Sequence, residues 1–133
     1  MEETMSRILI VDDDPGLRQL YQKVLSRQGY DVRLAANGAD ALLALEMSMP
    51  DLVMLDLAMP DMDGIALLRV IRRTPGWEKI PVIVLTAFTD STRLAPLAEL
   101  NVAHQLTKAE FSVRELRAKI AECLGLPAAA AAA

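Results

Sequence analysis

Three short apolar runs, together rich in β-branched residues, each stop abruptly on polar side chains. Ile8-Leu9-Ile10-Val11 ends at Asp12-Asp13, Leu52-Val53-Met54-Leu55 at Asp56, and Val82-Ile83-Val84-Leu85 at Thr86. A weaker run, Val102–Leu106, leads towards Lys108. Runs of this length read as strands buried on both faces. Helical patterns separate them, and that alternation argues for an α/β fold around a parallel sheet. Open parallel sheets bind ligands outside the carboxyl ends of their strands. Asp12, Asp13, Asp56, Thr86 and Lys108 are therefore expected to meet at one end of the sheet, although they are far apart in the chain.

The intervening segments carry helix and turn signals. Asp14-Pro15 reads as an N-cap and first helical position, followed by Leu17, Leu20, Tyr21, Val24 and Leu25 at helical spacing, with Gly29 as the stop. Asp31–Ala35 is a short second strand. Asn37-Gly38 is a turn able to cap a helix over Ala39–Met47, and Gly64 opens another that Thr74-Pro75-Gly76 ends. Ser112 and Glu115 have capping-box spacing ahead of Leu116, Ile120, Cys123 and Leu124. The segment Asp90–Leu100 is helical in pattern but holds Pro96, which costs roughly 3 kcal/mol in a helix interior. Either that helix is kinked or it starts late, with Pro96 in its first turn and Asn101 at its C-cap.

Bulk properties narrow the class. At 133 residues the chain is one domain with room for a core. A formal charge of −4 makes the domain a poor nucleic-acid binder, and no direct nucleic-acid partner is expected. The single Cys123 excludes an internal disulfide and fits a reducing compartment. No run approaches the roughly 20 apolar residues of a membrane span, and the start of the chain has no signal-peptide character. The expected setting is cytoplasmic, with no membrane partner. Residues 126–133, which include the alanine run, are read as a linker or an artificial tail outside a 6–125 domain.

Taken singly, the strand-end residues are unremarkable. Asp-Asp-Asp-Pro alone is more often a helix cap, Asp56 a solvated loop residue, Thr86 a strand residue and Lys108 a surface lysine. His104 has no obvious ligand partner, and Cys123 reads as core. Together they suggest chemistry. Two carboxylates about 5 Å apart repel by roughly 3 kcal/mol at an effective dielectric of about 20. A divalent cation relieves that conflict, and all-oxygen donors with room for water favour Mg²⁺. A carboxylate beside such an ion can be a nucleophile in aspartyl-phosphate chemistry, with a lysine and a hydroxyl neutralising the transferred phosphoryl oxygens.

At this point the motifs resemble the receiver domain of bacterial response regulators, the CheY-like family. The matching pieces are ILIVDDD (Ile8–Asp14), DLVMLDLAMPDMDG (Asp51–Gly64), VIVLTA (Val82–Ala87) and LTK (Leu106–Lys108). The resemblance runs from about Arg7 to Leu124. It implies a single-domain, doubly wound α/β fold with a five-stranded parallel sheet in the flavodoxin/CheY-like order 2-1-3-4-5. It also implies Asp56 as phosphoacceptor and Asp13 as a direct Mg²⁺ ligand, with Asp12 acting mainly through water. Asp56 and the Ala58 backbone carbonyl would be the other protein ligands, Thr86 the switch hydroxyl, and Lys108 the phosphoryl-pairing cation. Asp14 matches the third acidic position but reads better as the helix cap.

The implied partners are a histidine kinase or phosphotransfer protein and a downstream protein target or output domain. The domain would be a signalling module that catalyses its own phosphorylation and dephosphorylation rather than a conventional enzyme. Departures lie on the output side: Lys108-Ala109 replaces Lys-Pro, Gln105 stands where the family carries an aromatic rotor, and Pro96 interrupts the neighbouring helix. Phe88 and Ala58, at positions that tune phosphoryl lifetime, lean towards slow dephosphorylation. One alternative is a degenerate receiver acting as a constitutive interaction module. Another, a metal-dependent phosphohydrolase, is disfavoured because Ala58 stands where such enzymes carry an acid/base aspartate.

Overall fold

A computed structural model describes residues 5–57, 63–87, 94–108 and 112–126. Its strands are β1 (Arg7–Val11), β2 (Asp31–Ala35), β3 (Leu52–Asp56), β4 (Val82–Thr86) and β5 (His104–Thr107). Its α-helices are α1 (Pro15–Arg27), α2 (Gly38–Met47), α3 (Gly64–Arg73) and α4 (Val113–Cys123), with a 3-10 segment at Ala95–Glu99. The strands form one five-stranded sheet in the order β2-β1-β3-β4-β5, and every neighbouring pair is parallel. This is the doubly wound α/β order expected.

The uninterrupted apolar runs explain why the central strands are covered on both sides. Successive side chains of a strand point to opposite faces, and here each face has its own core. Leu9, Val11, Val53, Leu55, Val82 and Val84 pack with Leu45, Leu67, Leu68 and Ile71 of α2 and α3. Ile8, Ile10, Leu52, Met54, Ile83 and Leu85 pack with Tyr21, Leu25, Leu116 and Ile120 of α1 and α4. Each of these large side chains contributes roughly 1.5–3 kcal/mol by leaving water.

Helix ends follow their caps. Asp14 accepts from the Gly16 and Leu17 amides with Pro15 at the first position, Asn37 accepts from Asp40 N, and Ser112 accepts from Glu115 N. The α2 helix begins at Gly38, one residue before the expected start, because Asn37 is itself the cap. Pro96 lies in the first turn of the 3-10 segment, which is the late-start arrangement. Asn101 then reverses the chain at φ 51°.

Some expectations need adjusting. The last strand starts at His104 rather than Val102. The turn at Asn101 delays the ladder, and the Ala103 amide makes the first bond to β4, to Val82 O at 2.9 Å. Leu20 and Leu43 are exposed, flanking the buried stripes of their helices. Trp77 and Cys123 are partly buried, each against a different face's core. His104 is not without a partner: its Nε2 lies 2.9 Å from Glu122 Oε2, tying β5 to α4.

Candidate functional site

The strand ends meet as the parallel topology requires. Asp56 closes β3, aligned with Leu85 of β4, and the pleat carries it onto the same face as Met54. Asp12 follows β1, and its amide extends the ladder to Ala35 O at 3.1 Å. Thr86 ends β4, and its carbonyl accepts the Lys108 amide at 2.8 Å, which fixes the chain that carries the lysine. Asp12, Asp56 and Thr86 are the buried polar or charged residues among those described, whereas Asp13 is exposed.

Lys108 lies between the buried carboxylates. Its Nζ is 3.2 Å from Asp12 Oδ2 and 3.1 Å from Asp56 Oδ2, with about one fifth of its side chain exposed. Burial pulls the ammonium's pKa down, but Asp12 and Asp56 outweigh that, and the net direction is up. Asp12 Oδ1 accepts from the Asp14 amide at 2.9 Å. Its Oδ2 is buried and, apart from the ammonium, receives no well-aligned hydrogen bond, so that contact is more Coulombic than directional.

These oxygens fit a hard divalent cation. Asp12, Asp13 and Asp56 each offer a carboxylate oxygen within 4.8 Å of the others. With one ammonium among three carboxylates, two negative charges remain uncompensated. A buried acceptor short of donors, an all-oxygen donor set and residual negative charge together suit Mg²⁺. Lys108 thus supplies part of the compensation that the sequence pattern assigned to the ion alone. The Ala58 carbonyl, Phe88 and Ala109 lie outside the described residues.

Exposed Asp13 allows a clean separation of metal binding from packing. Asp13→Asn is expected to weaken Mg²⁺ binding at least tenfold. In metal-free buffer the same change should raise stability by about 1 kcal/mol, the repulsion of charges near 5 Å in a largely aqueous medium. Calorimetric Mg²⁺ titration and urea melts with chelator present check both halves. Unchanged affinity, or a less stable apo variant, would contradict them.

Three residues support the site in ways the sequence did not indicate: Arg18 was not named, and Tyr21 and Gly64 were read only as parts of helices. Arg18 reaches back from α1 and donates from Nη1 to the Asp12 carbonyl at 2.7 Å, pinning the acidic loop. Its position four residues after the cap was a usable signal, because helical side chains lean towards the N-terminus. Tyr21 is 4% exposed and packs on the face that carries Asp56. Burial raises its phenol pKa, and Asp12 and Asp56 raise it further against the opposing Lys108. Gly64 is the third. A Cβ there would lie 2.5 Å from Leu57 Cα and 2.6 Å from Asp56 O, so α3 docks directly on the backbone behind Asp56. Asp63 caps this helix by accepting from Ile65 N.

Comparison with known proteins gives a consistent picture. A family model described as response regulator receiver domain matches residues 8–121. The chain is 38% identical over 120 residues to the DNA-binding response regulator MtrA of Mycolicibacterium smegmatis, covering 90% of this chain and 51% of that protein. It therefore spans about half the length of the curated relatives of this kind that it matches. Among solved structures, the chemotaxis protein CheY4 of Vibrio cholerae superposes with a TM-score of 0.84 at 26% identity, covering 91% of this chain and all of that one. The response regulator TrrA of Thermotoga maritima, solved in complex with Mg(2+)-BeF, gives a TM-score of 0.78 at 32% identity, covering 90% of this chain and 100% of that chain. No helix among the described residues is long and apolar enough to cross a membrane.

Proposed function

The chain belongs to the response regulator receiver domain family, and on that footing we propose that Asp56 accepts a phosphoryl group from a histidine kinase or phosphotransfer protein. The observation that carries this reading is the convergence of Asp12, Asp13, Asp56 and Lys108 at the strand ends. A carboxylate oxygen of Asp56 forms a bond to phosphorus while the P–N bond of a donor phosphohistidine breaks, and the imidazole leaves with a proton from solvent. Lys108, already 3.1 Å from Asp56 Oδ2, shifts its charge from that oxygen to the incoming phosphoryl oxygens. Thr86, buried at the end of the adjacent strand, offers a hydroxyl to the same group once it is in place.

Asp12, Asp13 and Asp56 would hold Mg²⁺, together with the Ala58 carbonyl. When bound, the ion neutralises charge on the phosphoryl oxygens and on the carboxylates. The TrrA neighbour solved with Mg(2+)-BeF supports this assignment. Arg18 and the Asp14 amide keep Asp12 oriented, so the site is organised before the donor arrives. The domain acts as a self-phosphorylating signalling module in the cytoplasm rather than as an enzyme with a turnover product. Its output goes to a protein target or an attached domain. The engagement of Lys108 with both buried carboxylates favours this reading over a degenerate interaction module.

The test is intact-mass analysis after incubation with acetyl phosphate. One phosphoryl group per chain is expected with Mg²⁺ and none with chelator. Uptake that ignores the chelator would overturn the metal-dependent reading.

A further inference from the structure

Gln105, on the last strand, is exposed and reaches no core. A signal from Asp56 therefore needs another way to the 3-10 segment Ala95–Glu99, which leads into β5. The α3 helix provides one. At its start, the Gly64 amide donates to Leu57 O at 2.9 Å. Gly64 also packs so closely on the Asp56–Leu57 backbone that no Cβ fits. Displacement of that backbone must push the helix. Leu67, Leu68 and Ile71 are fully buried in one core, and such close packing resists bending of the helix between its ends.

At the far end, roughly 12 Å of helix away, Arg72 leaves α3 and spreads its guanidinium over four backbone carbonyls. Nε donates to Leu100 O at 2.7 Å and Nη2 to Asn101 O at 3.2 Å, while Nη1 donates to Ile80 O at 2.8 Å and Glu78 O at 3.1 Å. Leu100 caps the 3-10 segment, and Asn101 is the described non-glycine residue with positive φ. Ile80 leads into β4. A planar fork of five donors can hold this set; a single ammonium cannot. Burial pulls the Arg72 pKa down.

We propose that Arg72 is a positioning residue through which a change at Asp56 is carried along α3 to the 3-10 segment and the start of β5. This inference rests on the phosphoacceptor reading of Asp56 and adds the route of its output. In this route the 3-10 segment is the element that shifts, because its cap Leu100 and the following Asn101 are fastened to α3 by the guanidinium.

Hydrogen exchange of the amides at 94, 95 and 97–101, with and without Mg²⁺ and beryllofluoride as a phosphoryl mimic, tests it in the wild type, Arg72→Lys, Arg72→Met and Ile120→Val. The last is a control that loosens the opposite core. Phosphoryl uptake from acetyl phosphate is followed in parallel. The wild type and Ile120→Val should show a several-fold change in exchange on adding the mimic. Arg72→Met should lose most of that response and Arg72→Lys at least half, with phosphoryl uptake retained in both. If Arg72→Met does not fold, Arg72→Lys decides. An undiminished response in the Arg72 variants overturns the route, as does a wild type that takes up the phosphoryl group without a change at 94–101. A wild type that takes up none overturns both the route and the reading beneath it.

Discussion

Gly64→Ala should destabilise the domain by on the order of 3 kcal/mol, the cost of forcing extra volume into a site that cannot relax. In an ordinary helix the same change gains up to about 1 kcal/mol, so the sign itself is diagnostic. The new methyl would meet Leu57 Cα at 2.5 Å and Asp56 O at 2.6 Å, and both are backbone atoms of the strand end. No rotamer change can relieve that overlap. Either α3 lifts away from Leu67, Leu68 and Ile71's shared core, or the Asp56 carboxylate is displaced. Urea denaturation should therefore show the stability loss, and phosphoryl uptake should slow by a factor of ten or more in whatever fraction remains folded. A variant as stable as the wild type would mean that the close approach of α3 to β3 is wrong.

Lys108→Met should be comparably damaging without metal. It leaves Asp12 and Asp56, both buried, without their shared cation. Removing one partner of a buried pair typically costs about 3–5 kcal/mol, and the lower end applies here because the lysine is partly exposed. Mg²⁺ should restore much of the loss, since saturating a site at a hundred times its Kd contributes about 2.7 kcal/mol. It should also bind the variant more tightly than the wild type, because a competing positive charge is gone.

The pH dependence follows from the direction of the lysine's shift. The folded-state pKa of Lys108 is raised, so its stabilisation is complete below the unfolded value of about 10.4 and disappears as pH rises through the folded value. Buried Tyr21, also raised, acts in the same alkaline window. Melts between neutral pH and the alkaline limit should show a shallower decline for Lys108→Met than for the wild type. An equally steep decline would remove Lys108 from the account of that window.

Much of this was legible in the sequence, for definite reasons. Ile8–Val11, Leu52–Leu55 and Val82–Leu85 have no polar interruptions, which suits strands covered on both sides. A parallel sheet then brings Asp12, Asp56 and Thr86 to one end. Asp14, Asn37 and Ser112 announced their helices because capping is local. What could not be read depended on tertiary placement. The acceptors of Arg72 are backbone carbonyls at residues 78 to 101, and nothing in their side chains marks them. The place of Tyr21 below the acidic site requires knowing which pleat face Asp56 shares with Met54 and how α1 docks there. The late start of β5 is decided by the left-handed turn at Asn101, while Val102 only looks like the beginning of a strand.

The central claim is that one particular carboxylate, Asp56, becomes covalently phosphorylated. Borohydride reduction of the phosphorylated protein converts an acyl phosphate into homoserine, which peptide mass spectrometry can place in the sequence. After acetyl phosphate and Mg²⁺, the homoserine should appear at position 56 and nowhere else, and Asp56→Asn should give none. Homoserine at Asp12 or Asp13, or undiminished phosphoryl uptake by Asp56→Asn, would contradict the account.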